Sequence, residues 1–282
     1  MEIARTEREL KQSILKEKSL GKKIGYVPTM GFLHEGHLSI VRNSKKKTDC
    51  TVVSIFVNPA QFNDPNDFTN YPKNEIEDLK KCEIEKVDLV YLPSTEELYP
   101  DGIPEIEIRI PNLMKNLCAK SRPGHFEGVM LVLSRLFHSI EPNIAFFGKK
   151  DYQQYILVKE FVRMLNFPID IIGVDTLRES DGLAMSSRNA RLNSTEREAA
   201  SVIYRALKIA ESEIGKGEKD SSVLVEIIRD VISSSPLLKE DYIEIVDPTN
   251  LSIIKKIEKS ALIAIAVFFG KVRLIDNWLI QL

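Results

Sequence analysis

Two histidines three residues apart, His34 and His37, open a helical pattern that follows the short apolar run Ile24 to Val27. Between them and that run lies Pro28-Thr29-Met30-Gly31-Phe32-Leu33, a turn containing a glycine. Such a turn offers unpaired backbone N–H groups and the positive end of a helix dipole, and both attract phosphate. Residues i and i+3 are neighbours on a helix, so both imidazoles sit on one side of its first turn, while Glu35 points away. A phosphate held there would meet backbone and side-chain donors together, which makes the segment a candidate nucleotide site. The spacing also fits a chance pair or half of a metal site. The zinc-protease pattern His-Glu-x-x-His is absent, and no third ligand of the usual kind stands nearby.

Four further patches concentrate polar groups. Val57-Asn58-Pro59-Ala60-Gln61-Phe62 closes an apolar run with two amides, which donate and accept without charge and suit the hydroxyls and carboxylates of a small substrate. By itself it also reads as an ordinary Asn-Pro turn. Ser121-Arg122-Pro123-Gly124-His125 supplies a guanidinium and an imidazole, and arginine suits bidentate binding of carboxylate or phosphate; a solvated Pro-Gly turn is the plainer reading. In Phe147-Gly148-Lys149-Lys150-Asp151-Tyr152-Gln153-Gln154, Lys150 can reach back over the turn to a phosphate. Asp151 can accept from a ribose hydroxyl or cap the helix, and Gln154 lies one turn on from Lys150 and Asp151. Met185-Ser186-Ser187-Arg188 offers two hydroxyls and a cation on a mobile loop, or a flexible linker. The remaining histidine, His138, lies in an apolar helical run and reads as a core or interface residue.

The elements that must position these groups can be read from periodicity. Residues 5–19 form an amphipathic helix, and strands are expected at 23–27, Thr51–Val57, Asp88–Leu92, Asn143–Phe147 and Ile169–Gly173. Helices at about 127–140 and 151–166, and a helical stripe of Ile76, Leu79 and Ile84, fall between them. Glu105–Ile110 alternates with period two and reads as an edge strand or a small side sheet. This alternation predicts an α/β fold, a Rossmann-like parallel sheet wrapped by helices. Ligands bind such sheets beyond the C-terminal ends of the strands, and the histidine, Asn58/Gln61 and Lys150/Asp151 groups all follow strand ends, so one cleft would gather them. After residue 176, Asn193 and Glu196 form a capping-box pattern before a stripe of Val202, Ile203, Ala206, Ile209 and Ala210. A helix near 220–234 and strands near 241–246, 260–268 and 271–275 then suggest a smaller α+β domain, giving domains 1–176 and 177–282.

A chain of 282 residues with 43% hydrophobic content can bury a large core. The net charge of -2 argues against nucleic acid as the main partner. Three widely spaced cysteines without a Cys-x-x-Cys suggest neither a disulfide framework nor a zinc site, and fit a reducing compartment. The charged N-terminus is unlike a signal peptide, and the most apolar run, Ala261–Phe269, is far short of the ~20 residues of a membrane helix. A cytoplasmic protein without a membrane partner is expected.

Read together, Pro-Thr-Met-Gly-x-Leu-His-x-Gly-His, Val-Asn-Pro-x-Gln-Phe, Arg-Pro-Gly-His-Phe, Phe-Gly-x-Lys-Asp-Tyr-Gln-Gln and Asp-Gly-Leu-Ala-Met-Ser-Ser-Arg-Asn closely resemble, in order, the pantoate–β-alanine ligase family. The tail, with Tyr242-Ile243-Glu244-Ile245-Val246-Asp247 and Phe269 through Asp276, is similar as well. His-x-Gly-His alone belongs to a wider nucleotidyltransferase superfamily; the set is specific. The resemblance implies ATP-dependent joining of pantoate to β-alanine through a pantoyl-adenylate, with AMP and diphosphate released. It implies that His34 and His37 contact ATP phosphates, His37 being the proton donor, and that Lys150, Ser186, Ser187 and Arg188 clamp them. Pro28, Thr29, Met30, Gly31, Gly36 and Met185 would line the ATP site, with Gly148, Lys149 and Asp151 on the ribose side and Leu177 near adenine. Gln61, Gln154, Asn58 and Arg122 would bind pantoate, and Gln61 also β-alanine. Mg2+ would come mainly through the ATP phosphates, with Glu77 or Asp78 as the protein groups that could assist. A homodimer is implied, and closure of the second domain over the first. Lys149 stands where the family more often has glutamate. The rival readings are a nucleotidyltransferase acting on a phosphate ester or nicotinate-type substrate, and a non-catalytic nucleotide-binding regulator.

Overall fold

A computed structural model describes residues Met1–Leu282. Strands β1 (Glu2–Ala4), β2 (Ile24–Thr29), β3 (Cys50–Ile55), β4 (Leu89–Tyr91), β5 (Ile144–Gly148) and β6 (Asp170–Val174) form one sheet in the order β1-β4-β3-β2-β5-β6. Every pairing in it is parallel. Parallel strands need crossovers, and helices α1 (Glu7–Ser19), α2 (Glu35–Lys45), α3 (Pro65–Thr69), α4 (Glu75–Ile84), α5 (Thr95–Leu98), α6 (Leu117–Ser121), α7 (His125–Ile140) and α8 (Tyr152–Met164) lie in the connections. Helices on both faces leave β2 and β3 buried along nearly their whole length, which is why these strands read as continuous apolar runs.

The sheet runs from β2 through β3 to β4 in one direction and from β5 to β6 in the other. The switch point therefore lies between β2 and β5, where open α/β sheets bind ligands. The β2–β5 ladder holds only Gly25–Ile144 and Tyr26–Ala145, and stops two residues before Pro28, which has no N–H to donate. Beyond that point β2 pairs with β3 alone, through Thr29–Ile55.

Toward the C-terminus, α9 (Ser194–Ala199), α10 (Val202–Gly215) and α11 (Ser221–Ser233) precede β7 (Leu238–Val246), β8 (Ser260–Phe269) and β9 (Val272–Gln281). These strands form an antiparallel sheet in the order β7-β8-β9. Ile203, Ala206, Leu207 and Ala210 of α10 and Leu224, Ile228 and Ile232 of α11 pack with Ile263, Ile265 and Val267 of β8 in one buried cluster. The apolar run at 261–269 is thus the central strand of a small sheet, and no helix of the chain is long and apolar enough to cross a membrane.

By Cα proximity the chain forms two compact units. One comprises Met1–Ile110, Arg122–Lys149 and Leu157–Asp175; the other comprises Pro111–Ser121, Lys150–Ile156 and Thr176–Leu282. The second unit thus includes two segments that a division by chain position at 176 would give to the first.

Three local expectations fail. Glu105–Ile110 is in no strand: of its alternating isoleucines only Ile110 is buried, Ile106 is exposed, and Pro104 and Pro111 bracket a stretch without a sheet partner. In α4, Ile76 and Ile84 face solvent, while Asp78 and Cys82 face inward. Of the two readings of His138, core or interface, the core one fails, because the residue is exposed.

Candidate active site

The first turn of α2 is held by its own histidines. His34 is the N-cap residue, and its Nδ1 accepts the Gly36 N–H at 3.1 Å. His37 reaches back, its Nδ1 accepting the His34 N–H at 3.3 Å, so the pair makes a capping box from two imidazoles. The rings lie 4.1 Å apart between centroids. A ring nitrogen that accepts an N–H carries no proton, so both neutral rings have their hydrogen on Nε2. The element therefore presents two Nε2–H groups as donors with fixed tautomers. Glu35 turns away to Arg42, 2.8 Å from its guanidinium.

The backbone amides of the turn are not the donors that the sequence suggests. The Gly31 N–H donates to Thr29 Oγ1 at 3.2 Å. The N–H groups of Phe32 and Leu33 donate to the two oxygens of Asp78, at 2.7 and 2.6 Å. The His34 and Gly36 amides go to the imidazoles as described. A carboxylate from α4, more than forty residues away in sequence, has taken the place a phosphate was expected to fill. Burial pushes the Asp78 carboxyl above the usual aspartate range, against the pull of the two N–H groups and of Lys81.

Gln61 ends a short 3-10 turn, Pro59–Gln61, capped by Asn58. Asn58 is buried with all four hydrogen-bonding capacities engaged. Its Nδ2 donates to Gln61 Oε1 (3.2 Å) and the Gly128 carbonyl (3.0 Å), and its Oδ1 accepts from the Tyr99 hydroxyl (2.9 Å) and the Ala60 N–H (3.2 Å). The Gln61 Nε2 lies 3.0 Å from the Met30 sulfur, a weak acceptor. His125 Nδ1 lies 2.8 Å from the Gln61 carbonyl, which can only accept, so the proton is on Nδ1; Nε2 then accepts from Arg122 at 3.0 Å. Helix α7 approaches this turn closely. A Cβ on Gly128 would stand 2.2 Å from the Ala60 carbonyl oxygen.

After β5, Gly148 is partly exposed, and Lys149 forms an ion pair with Asp175, Nζ to Oδ1 2.7 Å, so the charge that departs from the family pattern is compensated locally.

In the second unit, Asn277 donates to the Lys150 carbonyl at 2.7 Å, and the Lys150 ammonium lies 3.9 Å from Asp151. Gln153 is buried, donating to the carbonyls of Leu113 (2.9 Å) and Asn116 (3.0 Å) and accepting the Ala119 N–H (3.2 Å). Its neighbour Gln154 is only partly buried. The residues leading into the Met-Ser-Ser-Arg segment form a tight hairpin: Arg178 bridges to Ala184, and the Met185 N–H donates to the Leu177 carbonyl at 3.0 Å. Ser186 then caps a 3-10 turn, Ser187–Arg191, by accepting the Arg188 N–H, and Ser187 is buried. Arg178 anchors the hairpin through a two-pronged ion pair with buried Asp276, at 2.6 and 3.0 Å. Burial pushes that carboxyl up, and Arg178 opposes the shift.

Sequence reasoning missed Asp78, Gln153, Asn277 and Asp276 as positioning groups. Asp276 and Gln153 stand inside motifs noted above, and Asp78 was named only as a group that could assist magnesium.

The chain is matched by known proteins along its whole length. A family profile described as pantoate–β-alanine ligase covers residues 2–279. The chain belongs to the pantoate–β-alanine ligase family. A pantothenate synthetase of Leptospira interrogans is 55% identical over 277 residues, covering 98% of this chain and 97% of that one. One from Clostridium botulinum is 46% identical over the full length of both chains. The solved pantothenate synthetase of Thermus thermophilus superposes with a TM-score of 0.93 at 37% identity, covering 99% of each chain. A pantoate–β-alanine ligase of Francisella tularensis, solved in complex with βγ-ATP and β-alanine, gives 0.81 at 36% identity over 99% of this chain and 97% of that one. As a member of this family the chain is a ligase: it condenses pantoate with β-alanine to pantothenate, using ATP.

Proposed function

We propose that ligation runs through a pantoyl-adenylate, with the groups described above in the following roles. A carboxylate is a poor acyl donor to an amine, so a pantoate oxygen first attacks the α-phosphorus of ATP. The bond to the β-phosphate bridging oxygen breaks, and diphosphate leaves with the electron pair. Charge gathers on the phosphoryl oxygens and on the departing diphosphate. Alignment and cationic or N–H donors supply most of the acceleration in such a step. His34 and His37 donate through Nε2–H, His37 being the donor toward the reacting phosphate. Lys150, Arg188 and the hydroxyls of Ser186 and Ser187 bind phosphate oxygens. Pro28 through Gly31, Gly36 and Met185 shape the ATP site, Gly148, Lys149 and Asp151 serve the ribose, and Leu177 the adenine.

Gln61 and Gln154 hold pantoate by its hydroxyls and carboxylate, and Gln61 also meets β-alanine. Asn58 acts one step back, since its capacities are filled within the protein, and it fixes the Gln61 amide; His125 does the same for Arg122. In the second step the neutral amine of β-alanine attacks the acyl carbon, AMP departs, and the amine loses a proton. Magnesium enters as the ATP chelate. Each Asp78 oxygen already accepts one backbone N–H, so Asp78 would assist it only through its remaining lone pairs.

Residues 1–176 supply the imidazole, amide and ribose-side groups, and residues 177–282 the Ser-Ser-Arg group. The enzyme works as a homodimer in the cytoplasm. Three buried free cysteines support a reducing compartment, and the exposed apolar segment around Ile103 and Ile106 is a surface a second copy would cover.

The observation that carries the reading is the imidazole capping box, which fixes both tautomers toward an anion. Its test supplies ATP, magnesium and pantoate, with β-alanine withheld. A stoichiometric, pantoate-dependent diphosphate burst in the wild type, lost in His37→Ala and followed by AMP turnover on adding β-alanine, is expected. A His37→Ala burst of normal rate refutes the assignment.

A further inference from the structure

We propose that the Asp78 carboxylate is the built-in anion of the strand–turn–helix element, a positioning group that fills the amide nest so that ATP phosphates meet the imidazole Nε2–H donors instead. The proposal rests on the reading that His34 and His37 receive those phosphates.

Three observations converge on it. Each carboxylate oxygen takes one N–H, at 2.7 Å from Phe32 and 2.6 Å from Leu33, and the residue is 2% exposed. Lys81, almost one helical turn further along α4, donates to the Leu33 carbonyl at 2.6 Å, so one helix grips the turn at both a donor and an acceptor. Gly31 lies at φ +80°, and a Cβ there would stand 2.9 Å from Asp78 Oδ2, so the turn has closed onto the carboxylate. A buried carboxylate accepting two amides is a strong charge-assisted contact, and it sets where His34 begins the helix. The turn therefore arrives at ATP with the Gly31, Phe32, Leu33, His34 and Gly36 amides already engaged, and its selectivity for phosphate resides chiefly in the two rings.

A cavity of about 340 Å³ opens beside this contact, lined by Gly31, Asp78, Lys73, Asn74 and Ser94 among others. It gives a small solute a route to the nest once the side chain is shortened.

The experiment is chemical rescue of Asp78→Ala in the full-length enzyme. Loss of a charge-assisted double contact predicts a fall in kcat/KM for ATP, followed as pantoate-dependent diphosphate release, on the order of 10- to 100-fold. Formate should restore a saturable part of that activity and raise the melting temperature of the variant. Formamide, of equal shape without the charge, should do neither, and the wild type should ignore both. Asp78→Asn, which fills the space with one acceptor and one donor group, should lose ATP efficiency in the same direction and gain nothing from formate; it serves where Asp78→Ala does not fold. Unchanged ATP kinetics in both variants, or equal responses of Asp78→Ala to formate and formamide, overturn the proposal. Formate that restores melting but not ATP use overturns the assignment of the two histidines to ATP, on which the proposal rests.

Discussion

Gly128 offers a severe test of how the glutamine turn is built. It lies in the first turn of α7, and a Cβ added there would meet only backbone: the Ala60 carbonyl oxygen at 2.2 Å, its carbon at 2.4 Å and the Gln61 Cα at 2.7 Å. Carbon–oxygen contacts settle at about 3.3–3.6 Å, so clearing the oxygen alone needs a shift of about 1 Å. No side chain can swing aside to relieve it. Overpacking of this kind costs about 1–3 kcal/mol, and the gain of alanine over glycine inside a helix returns about 0.5–1 kcal/mol. Separation would also stretch the Asn58 Nδ2 bond to the Gly128 carbonyl, now 3.0 Å, and the His125 bond to the Gln61 carbonyl, now 2.8 Å. Each is worth about 1 kcal/mol.

Gly128→Ala should therefore lose about 1–3 kcal/mol, a drop of several degrees in melting temperature. Its catalytic loss should be larger: a misplacement of about 1 Å at a substrate-holding group can reduce the rate about 100-fold. Diphosphate release against pantoate concentration, with a melting curve of the same sample, separates the two. The ATP KM should move little, since the imidazole capping box belongs to a different element. A variant that melts normally and keeps the wild-type pantoate KM and kcat would refute the claim that this close approach sets the Gln61 position.

Arg178→Met should destabilise the protein by about 3–5 kcal/mol in urea unfolding, because it leaves the buried Asp276 carboxylate without its partner. Adding Asp276→Leu should recover a large part of that loss, and two losses that merely add would argue against the pair acting as a unit. Burial holds the Glu244 carboxyl above its ordinary value of 4.5, with the Leu117 N–H and Lys120 opposing and Asp241 assisting. Its protonated form therefore favours folding, and the stability it contributes is complete below that ordinary value and lost as pH rises through the folded one. The melting temperature of Glu244→Gln minus that of the wild type should increase from about pH 4 to about pH 7, and a flat difference would refute the shift.

What the sequence made legible was local. Five of the sheet strands fall within a residue or two of their expected positions, because an apolar run between helical patterns has few alternative readings in a parallel sheet. The Asn193–Glu196 capping box forms as its spacing predicts, the two residues closing on each other's backbone N–H. The failures share a cause, which is a partner far away in the chain. Glu105–Ile110 has the alternation of a strand but no edge to join. In α4 the apolar stripe of Ile76 and Ile84 suggests an inner face, yet a carboxylate is what the turn after β2 requires there. The Leu177–Met185 hairpin has a loop-like composition and is ordered by Asp276, a hundred positions on.

The same distance explains why residue type alone cannot separate groups that bind substrate from groups that hold the binders. Asn58 and Gln61 are both amides in one motif, as Gln153 and Gln154 are in another. Hydrogen-bond capacity tells them apart. Asn58 has a protein partner for each of its two donors and two acceptors, and Gln153 fastens three backbone groups of 111–121. Gln61 keeps an Nε2 whose protein contact is a thioether, and Gln154 reaches solvent. Removing a buried amide orphans its partners at about 1–3 kcal/mol each, so Asn58→Leu and Gln153→Leu should lower the melting temperature markedly and depress kcat together with pantoate affinity. Gln154→Leu orphans no buried protein group, so its stability should stay within about 0.5 kcal/mol of wild type while the pantoate KM rises. Gln61→Leu should follow it in kinetics, with a modest stability loss from the unpaired Asn58 donor. Equal melting losses at Gln153 and Gln154 would show that saturation of hydrogen bonds does not distinguish the two kinds of residue in this enzyme.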